Sequence, residues 1–171
     1  GKTLCAAHLE QRGFFQFRFG GIVVDEVVRR GWAINPENER TVREEFRQAD
    51  GMAAIALRAL PLLQSALSTH NSIVIDGLYS FSEYKLLRQQ LEGLVVVAII
   101  APRHLRYQRL SQRPERPLTP EEAERRDWQE IENLEKGGPI AIADYTLLND
   151  GDADAILGKL DALPAEINFR L

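Results

Sequence analysis

Two short, unbroken apolar runs constrain this chain more than anything else in it: Ile73-Val74-Ile75, and Leu94 through Ile100. A strand with one wet face alternates apolar and polar residues. Continuous β-branched runs of this length instead belong to a sheet covered on both sides. The first run ends in Asp76-Gly77, the second shortly before Pro102. Around them lie helical patterns over Thr3–Arg12, Ile22–Arg30, Glu37–Gln48 behind Pro36, and Gly51–Thr69. Ser80 with Glu83 three residues later forms a capping-box pattern that opens another helix. Further helices are expected over Arg103–Gln112 and Glu121–Lys136, with a last one ending near Pro164. Phe14–Phe19 alternates aromatic and polar residues and is expected to be a strand broken at Gly20-Gly21; Asp144–Leu148 is expected to be the final strand. Strands alternating with helices predict an α/β fold, a parallel sheet with helices on both faces. With 171 residues and neither repeat nor linker, residues 1–171 are expected to form a single domain.

The chemistry begins at the first residues. Gly1-Lys2-Thr3 running into a helix matches the end of a Gly-x-x-x-x-Gly-Lys-Ser/Thr loop. In such a loop, amides at a helix start hold phosphate oxygens, the lysine reaches the β- and γ-phosphates, and the hydroxyl takes a magnesium ion. The expectation is that the rest of this loop, and the strand feeding it, lie upstream of Gly1. The first strand of the sheet would then be missing from the chain as given. Asp76 is the second half of the same device. Ligands of open α/β sheets bind at the carboxyl ends of strands, where a carboxylate can hold Mg²⁺ through water or take a proton from an attacking hydroxyl. Thr3 and Asp76 are thus the candidate metal ligands. The plainer reading of each piece remains beside this one: a lysine at a frayed end, and an aspartate that caps a turn.

A third group is rich in arginine: Arg103, Arg106, Arg109, Arg113, Arg116, Arg125 and Arg126. Arg106 and Arg109 are three apart and are expected to share a helix face that Arg113 continues. A loop pinned by Pro114, Pro117 and Pro120 follows. Phosphoryl transfer spreads negative charge over the moving group, and arginines closing over it stabilise that charge. Residues 103–136 are therefore expected to act as a lid, against the alternative of a solvated face paired with Glu121, Glu122 and Glu124.

The order GKT…IVIDG…APRHLRYQRL…ERRD…IADYTLLNDG resembles the P-loop NTPases of the adenylate-kinase-related and dephospho-CoA-kinase-like group, across nearly the whole chain. The resemblance implies a nucleoside-monophosphate-kinase-like fold with a five-stranded parallel sheet and an acceptor-binding region at about residues 20–70. It implies ATP and Mg²⁺, with Gly1, Lys2, Thr3 and Asp76 at the phosphates and metal. Arg109 and Arg126 would contact ATP phosphates from the lid, beside Arg113, and Asn149 to Gly151 would lie near the adenine. Lys2, Asp76, Arg109 and Arg126 would then carry the reaction. Members of these families often have Phe-Gly-Asp and then an arginine where this chain has Phe19-Gly20-Gly21 and Val24, and an arginine in place of Tyr79.

Two functions follow. One is an ATP-dependent kinase acting on a small nucleotide-like acceptor, such as a nucleoside monophosphate or dephospho-CoA. The other is an ATP-binding regulator without acceptor chemistry, which Gly21, Val24 and Tyr79 favour. A net charge of −4 supplies no basic field for nucleic acid. A single cysteine, Cys5, fits a reducing compartment, with the cytoplasm the expected location. The longest apolar run is too short to span a membrane. His8, His70 and His104 lack ligand spacing for zinc. Trp32 and Trp128 are expected to be packing anchors, and Cys5 a small core residue.

Overall fold

The computed structural model describes residues 1–114 and 116–163. Nine helices and four strands occur among them: α1 (Lys2–Gln11), β1 (Phe15–Arg18), α2 (Phe19–Arg29), α3 (Pro36–Asp50), α4 (Ala54–Leu67), β2 (Ile73–Asp76), α5 (Phe81–Gln90), β3 (Val97–Ile100), α6 (Arg103–Ser111), α7 (Pro120–Leu134), α8 (Gly137–Ala141), β4 (Tyr145–Leu148) and α9 (Ala153–Asp161). Pro164, the expected end of the last helix, lies outside the described residues.

The strands pair in parallel, as the apolar runs predict, but form two two-stranded sheets, β1–β2 and β3–β4. Phe15 stands opposite Ile73 and Arg18 opposite Asp76; Val97 stands opposite Tyr145 and Ile100 opposite Leu148. The expectation that β2 is buried on both faces needs correction, because all four of its residues are only half-buried. A pair of strands leaves β2 with one unpartnered edge among the described residues, so neighbours cannot close around it completely.

Gly20-Gly21 does not break the chain; both residues lie in the first turns of α2. Each glycine costs a helix about 1 kcal/mol relative to alanine. Phe19, Val23 and Val27 outweigh that cost: spaced at i, i+4 and i+8, they are all fully buried. They belong to the larger core, with Val42 and Phe46 of α3, Ala56, Ala59 and Leu63 of α4, and Leu87 of α5. Asn35 caps α3 by accepting from the Asn38 amide at 2.8 Å, and Pro36 occupies its first turn. The capping box at Ser80 is complete: Ser80 Oγ accepts from the Glu83 amide at 2.9 Å, and Glu83 Oε2 from the Ser80 amide at 3.0 Å.

A smaller core joins Cys5 of α1 to Leu147 of β4 and to Ile156 and Leu160 of α9. Helix α1 also packs against β1 and β2 and therefore touches both sheets' surroundings. The Asp144 carboxylate accepts from the Val96 amide at 2.8 Å, stitching β4 to the entrance of β3. Trp128 is not a packing anchor: it is 56% exposed on α7, with Ile131 beside it, whereas Trp32 is 39% exposed and lies under the Arg30 guanidinium. Among the described residues no helix is long and apolar enough to cross a membrane.

Candidate functional site

The carboxyl ends of β2 and β3 meet at the start of α1. Thr3 Oγ1 in the first turn donates to Asp76 Oδ2 at 3.2 Å, although the two residues are 73 positions apart. On the other side, Gly1 presses against β3 and the end of β4. A Cβ on Gly1 would lie 2.5 Å from Asn149 Nδ2 and 3.0 Å from the Ile99 side chain, so no larger residue fits without a shift.

Lys2 projects over Tyr79, its Nζ 5.9 Å from the ring centroid. Lys2 is exposed as a residue, yet its ammonium is crowded by neighbouring charged groups. Crowding, and then repulsion from Lys136, push its pKa below the usual lysine range, while Asp76 and Glu130 pull it back. Tyr79 is pushed upward, first by burial and then by the Asp76 and Glu130 carboxylates. Among the described residues Lys2 forms no ion pair. A cation held this way suits an anionic ligand.

The arginines divide between two places. Arg126 of α7 binds Glu130 at 3.0 Å, and its charge reaches Lys2 and Tyr79. Arg109 of α6 goes to the loop after β4, donating to Asn149 O at 2.9 Å, to Asn149 Oδ1 at 3.2 Å and to Gly151 O at 2.6 Å. Arg106 and Arg109 lie three apart on α6, but their side chains part. Arg106 pairs with Asp127 of α7, which also accepts from the Tyr107 hydroxyl at 3.0 Å. Residues three apart sit roughly 60° from each other around a helix, and here different partners claim each guanidinium. Arg103 reaches Glu124 at 3.7 Å. Arg113 is exposed at the end of α6, and Arg116 lies 4.0 Å from Glu39 of α3.

Lys159 of α9 braces the same loop by donating to Leu148 O at 2.6 Å and to Asp150 Oδ1 at 2.8 Å. That bond, with its Coulombic partner, holds the Asp150 carboxyl below the usual range. The structure thus brings together Gly1, Lys2, Thr3, Asp76 and Arg126 around the start of α1, and Arg109, Asn149 and Gly151 beside them. Two surface hollows, of about 330 Å³ between α6 and α7 and about 470 Å³ among α2, α3 and α4, include none of these residues. Lys136 and Glu130 join the cluster without any signal in the sequence that singles them out.

The sequence profile of the AAA_18 family, an AAA domain, matches residues 1–136. The chain belongs to this P-loop NTPase-type family. As a member of AAA_18 it is also similar along nearly its whole length to UPF0200 proteins. One from Thermococcus gammatolerans is 35% identical, covering 98% of this chain and 90% of the relative. Another, from Thermococcus kodakarensis, is 34% identical over 100% of this chain and 94% of the relative. A third, from Aeropyrum pernix, is 34% identical over 90% of this chain and 81% of the relative.

Proposed function

We propose that this protein is an ATP- and Mg²⁺-dependent phosphotransferase acting on a small nucleotide-like acceptor, such as a nucleoside monophosphate or dephospho-CoA. The observation that carries the reading is the Thr3 hydroxyl against the Asp76 carboxylate at 3.2 Å. It joins the end of a Gly-Lys-Thr sequence to a strand-end acid, the pairing that holds magnesium in P-loop proteins. Both are hard oxygen donors, and both are accessible, which fits Mg²⁺ with waters completing its shell. Bound there, the ion would neutralise charge on the β- and γ-phosphates.

In this reading, the amides opening α1 and the Lys2 ammonium bind the phosphates, and the helix dipole favours the anion. Asp76 also stands at the strand end where an attacking hydroxyl could give up its proton. Arg126 approaches from the lid side. Arg109 holds the Asn149–Gly151 loop in place, so its contribution is to position that loop beside Gly1. The reading further includes one more parallel strand between β2 and β3, leading into Gly1. Its support is that the start of α1 touches the ends of both sheets. A gene sequence encoding an unrelated tag or a start codon directly before Gly1 would remove that strand from the account.

Tyr79 beneath Lys2 favours a second reading, a nucleotide-binding regulator without acceptor chemistry. The two separate in one assay: full-length protein with Mg·ATP, with and without candidate acceptors. ADP formed only when an acceptor is present supports the kinase. Nucleotide binding without acceptor-dependent turnover supports the regulator.

A further inference from the structure

Lys136 reaches the start of α1 by an anchored route. Helix α7 ends at Leu134, and Glu135 turns the chain in the left-handed region at φ 54°. The Glu135 carboxylate then accepts from the Ser82 amide at 2.9 Å and the Ser82 hydroxyl at 2.8 Å, seating it on the first turn of α5. Two residues beyond Lys136, Gly138 lies so close to α5 that a Cβ there would stand 2.6 Å from Phe81 Cβ. The segments on both sides of Lys136 are therefore fixed to the helix that follows Tyr79.

The result is that Lys136 Nζ lies 6.0 Å from the centroid of the Tyr79 ring, the ring that Lys2 Nζ approaches to 5.9 Å. Two ammonium groups far apart in the chain converge on one aromatic ring. Lys136 is paired with Glu130, a carboxylate it shares with Arg126. Burial pushes Glu130 upward, but the Lys136 hydrogen bond and charge, with Arg126, hold it below the usual carboxylate range. Lys2, Lys136 and Arg126 against Asp76 and Glu130 leave one positive charge in excess beside the start of α1.

We propose that Lys136 is a second phosphate-binding cation of this site, donating with Lys2 to the terminal phosphate of a nucleoside triphosphate, while Glu130 occupies part of its donor capacity in the empty site. A lysine has three N–H donors and Glu130 engages only part of that capacity. Glu130 also lowers the repulsion between the two lysines while the site is empty. Arg126, sharing Glu130, ties the lid helix to the same cluster. This rests on the phosphate-site reading above and adds to it a residue from outside the loop motif.

The test is calorimetric titration of full-length protein with Mg·ATP and with Mg·ADP, alongside thermal melting. Lys136→Ala is expected to weaken ATP about ten-fold or more, and ADP less, because a hydrogen bond to a charged group is lost. Lys136→Arg should restore most of the affinity. Lys85→Ala, which removes a lysine 5.1 Å from the Phe81 ring on α5, should leave it unchanged. Glu130→Gln discriminates by sign. It frees Lys136 and should tighten ATP, whereas a purely structural Lys136–Glu130 pair would make it weaken binding as Lys136→Ala does. Weakening by both overturns the inference, as does unchanged ATP affinity in Lys136→Ala. A wild-type protein that binds neither nucleotide overturns instead the phosphate-site reading beneath it.

Discussion

The half of the molecule built on β1 and β2 and the half built on β3 and β4 are alike in topology and unlike in substance. The first encloses a core to which α2, α3, α4 and α5 all contribute buried side chains. The second has a smaller cluster of Cys5, Leu147, Ile156 and Leu160, with Ala98, Leu110 and Ala123 buried outside it. Polar interactions add to it: Arg109 and Lys159 on the loop after β4, Asp144 on the Val96 amide, and Arg106 with Asp127. Apolar burial is non-directional and gives stability, whereas hydrogen-bonded charges fix positions and add less net free energy. One half thus supplies the anchor and the other the placed groups, with the start of α1 between them.

The comparison breaks most sharply in the cores. Phe19→Ala removes a fully buried aromatic ring from the larger one and is expected to cost about 3–5 kcal/mol, while Leu160→Ala in the smaller should fall near the lower end of the ~2–5 kcal/mol range for such truncations. Denaturant titration measures both. Hydrogen exchange should show amides of β4 and α9 opening before those of β2 and α4. Equal protection in the two halves would remove the distinction.

Next in size is the separation of function from stability at the seam. If the proposed function holds, Lys2→Ala removes a phosphate-binding cation and Asp76→Ala a ligand of the magnesium ion, and each is expected to lower ATP turnover at least about 100-fold. Melting temperature should stay close to that of the wild type, because neither residue belongs to a core. Near-normal turnover in either variant would strip that residue of its role.

Within the polar half, Arg109→Ala strands the Asn149 and Gly151 carbonyls and is expected to cost about 1.5–3 kcal/mol, as lost turnover or loop protection. Arg126→Ala should likewise reduce turnover. Arg103→Ala removes an exposed contact to Glu124, and exposed pairs are worth about 1 kcal/mol or less. Three equal effects would show that the polar contacts are interchangeable.

The smallest effect tests the charges on the larger half. Hydrogen bonds from Arg29 and then Arg30 hold the Glu26 pKa down at about 2, against 4.5 when unperturbed. A depressed carboxyl gives stability that is present above pH 4.5 and lost as pH falls toward 2. Melting curves across that window should lose part of their acid slope in Glu26→Gln, by a small amount because Arg29, the first of the two partners, is largely solvated.

Much of this arrangement is legible in the sequence, and the exceptions have physical causes. The end of β2 at Asp76-Gly77 is readable because a β-branched run favours a strand, and an acid followed by a glycine stops it. The capping box at Ser80 is local, and local chemistry survives folding. Gly20-Gly21 misleads because propensity is a weak term beside the burial of Phe19, Val23 and Val27. Lys136 is invisible for a different reason. Its position depends on Glu135 in a left-handed turn and on the landing of that carboxylate on Ser82, a contact across 53 residues with no sequence signature. The split of Arg106 from Arg109 is equally non-local, decided by Asp127 and by the loop after β4.

The contact between α1 and α9 sets an order in time. His8 meets Asp161 at 2.8 Å across 153 residues, and Cys5 packs on Ile156 and Leu160. A ribosome emits roughly 5–20 residues per second, with the N-terminal part first. The helix bearing Lys2 and Thr3 therefore emerges many seconds before the segment that completes its packing. Before α9 emerges, the packing partners of α1 among the described residues include β1 and β2. The nascent chain should acquire nucleotide affinity late and abruptly, once residues through Asp161 have cleared the exit tunnel. Stalled chains of increasing length, probed with a photoreactive nucleotide, would reveal that step.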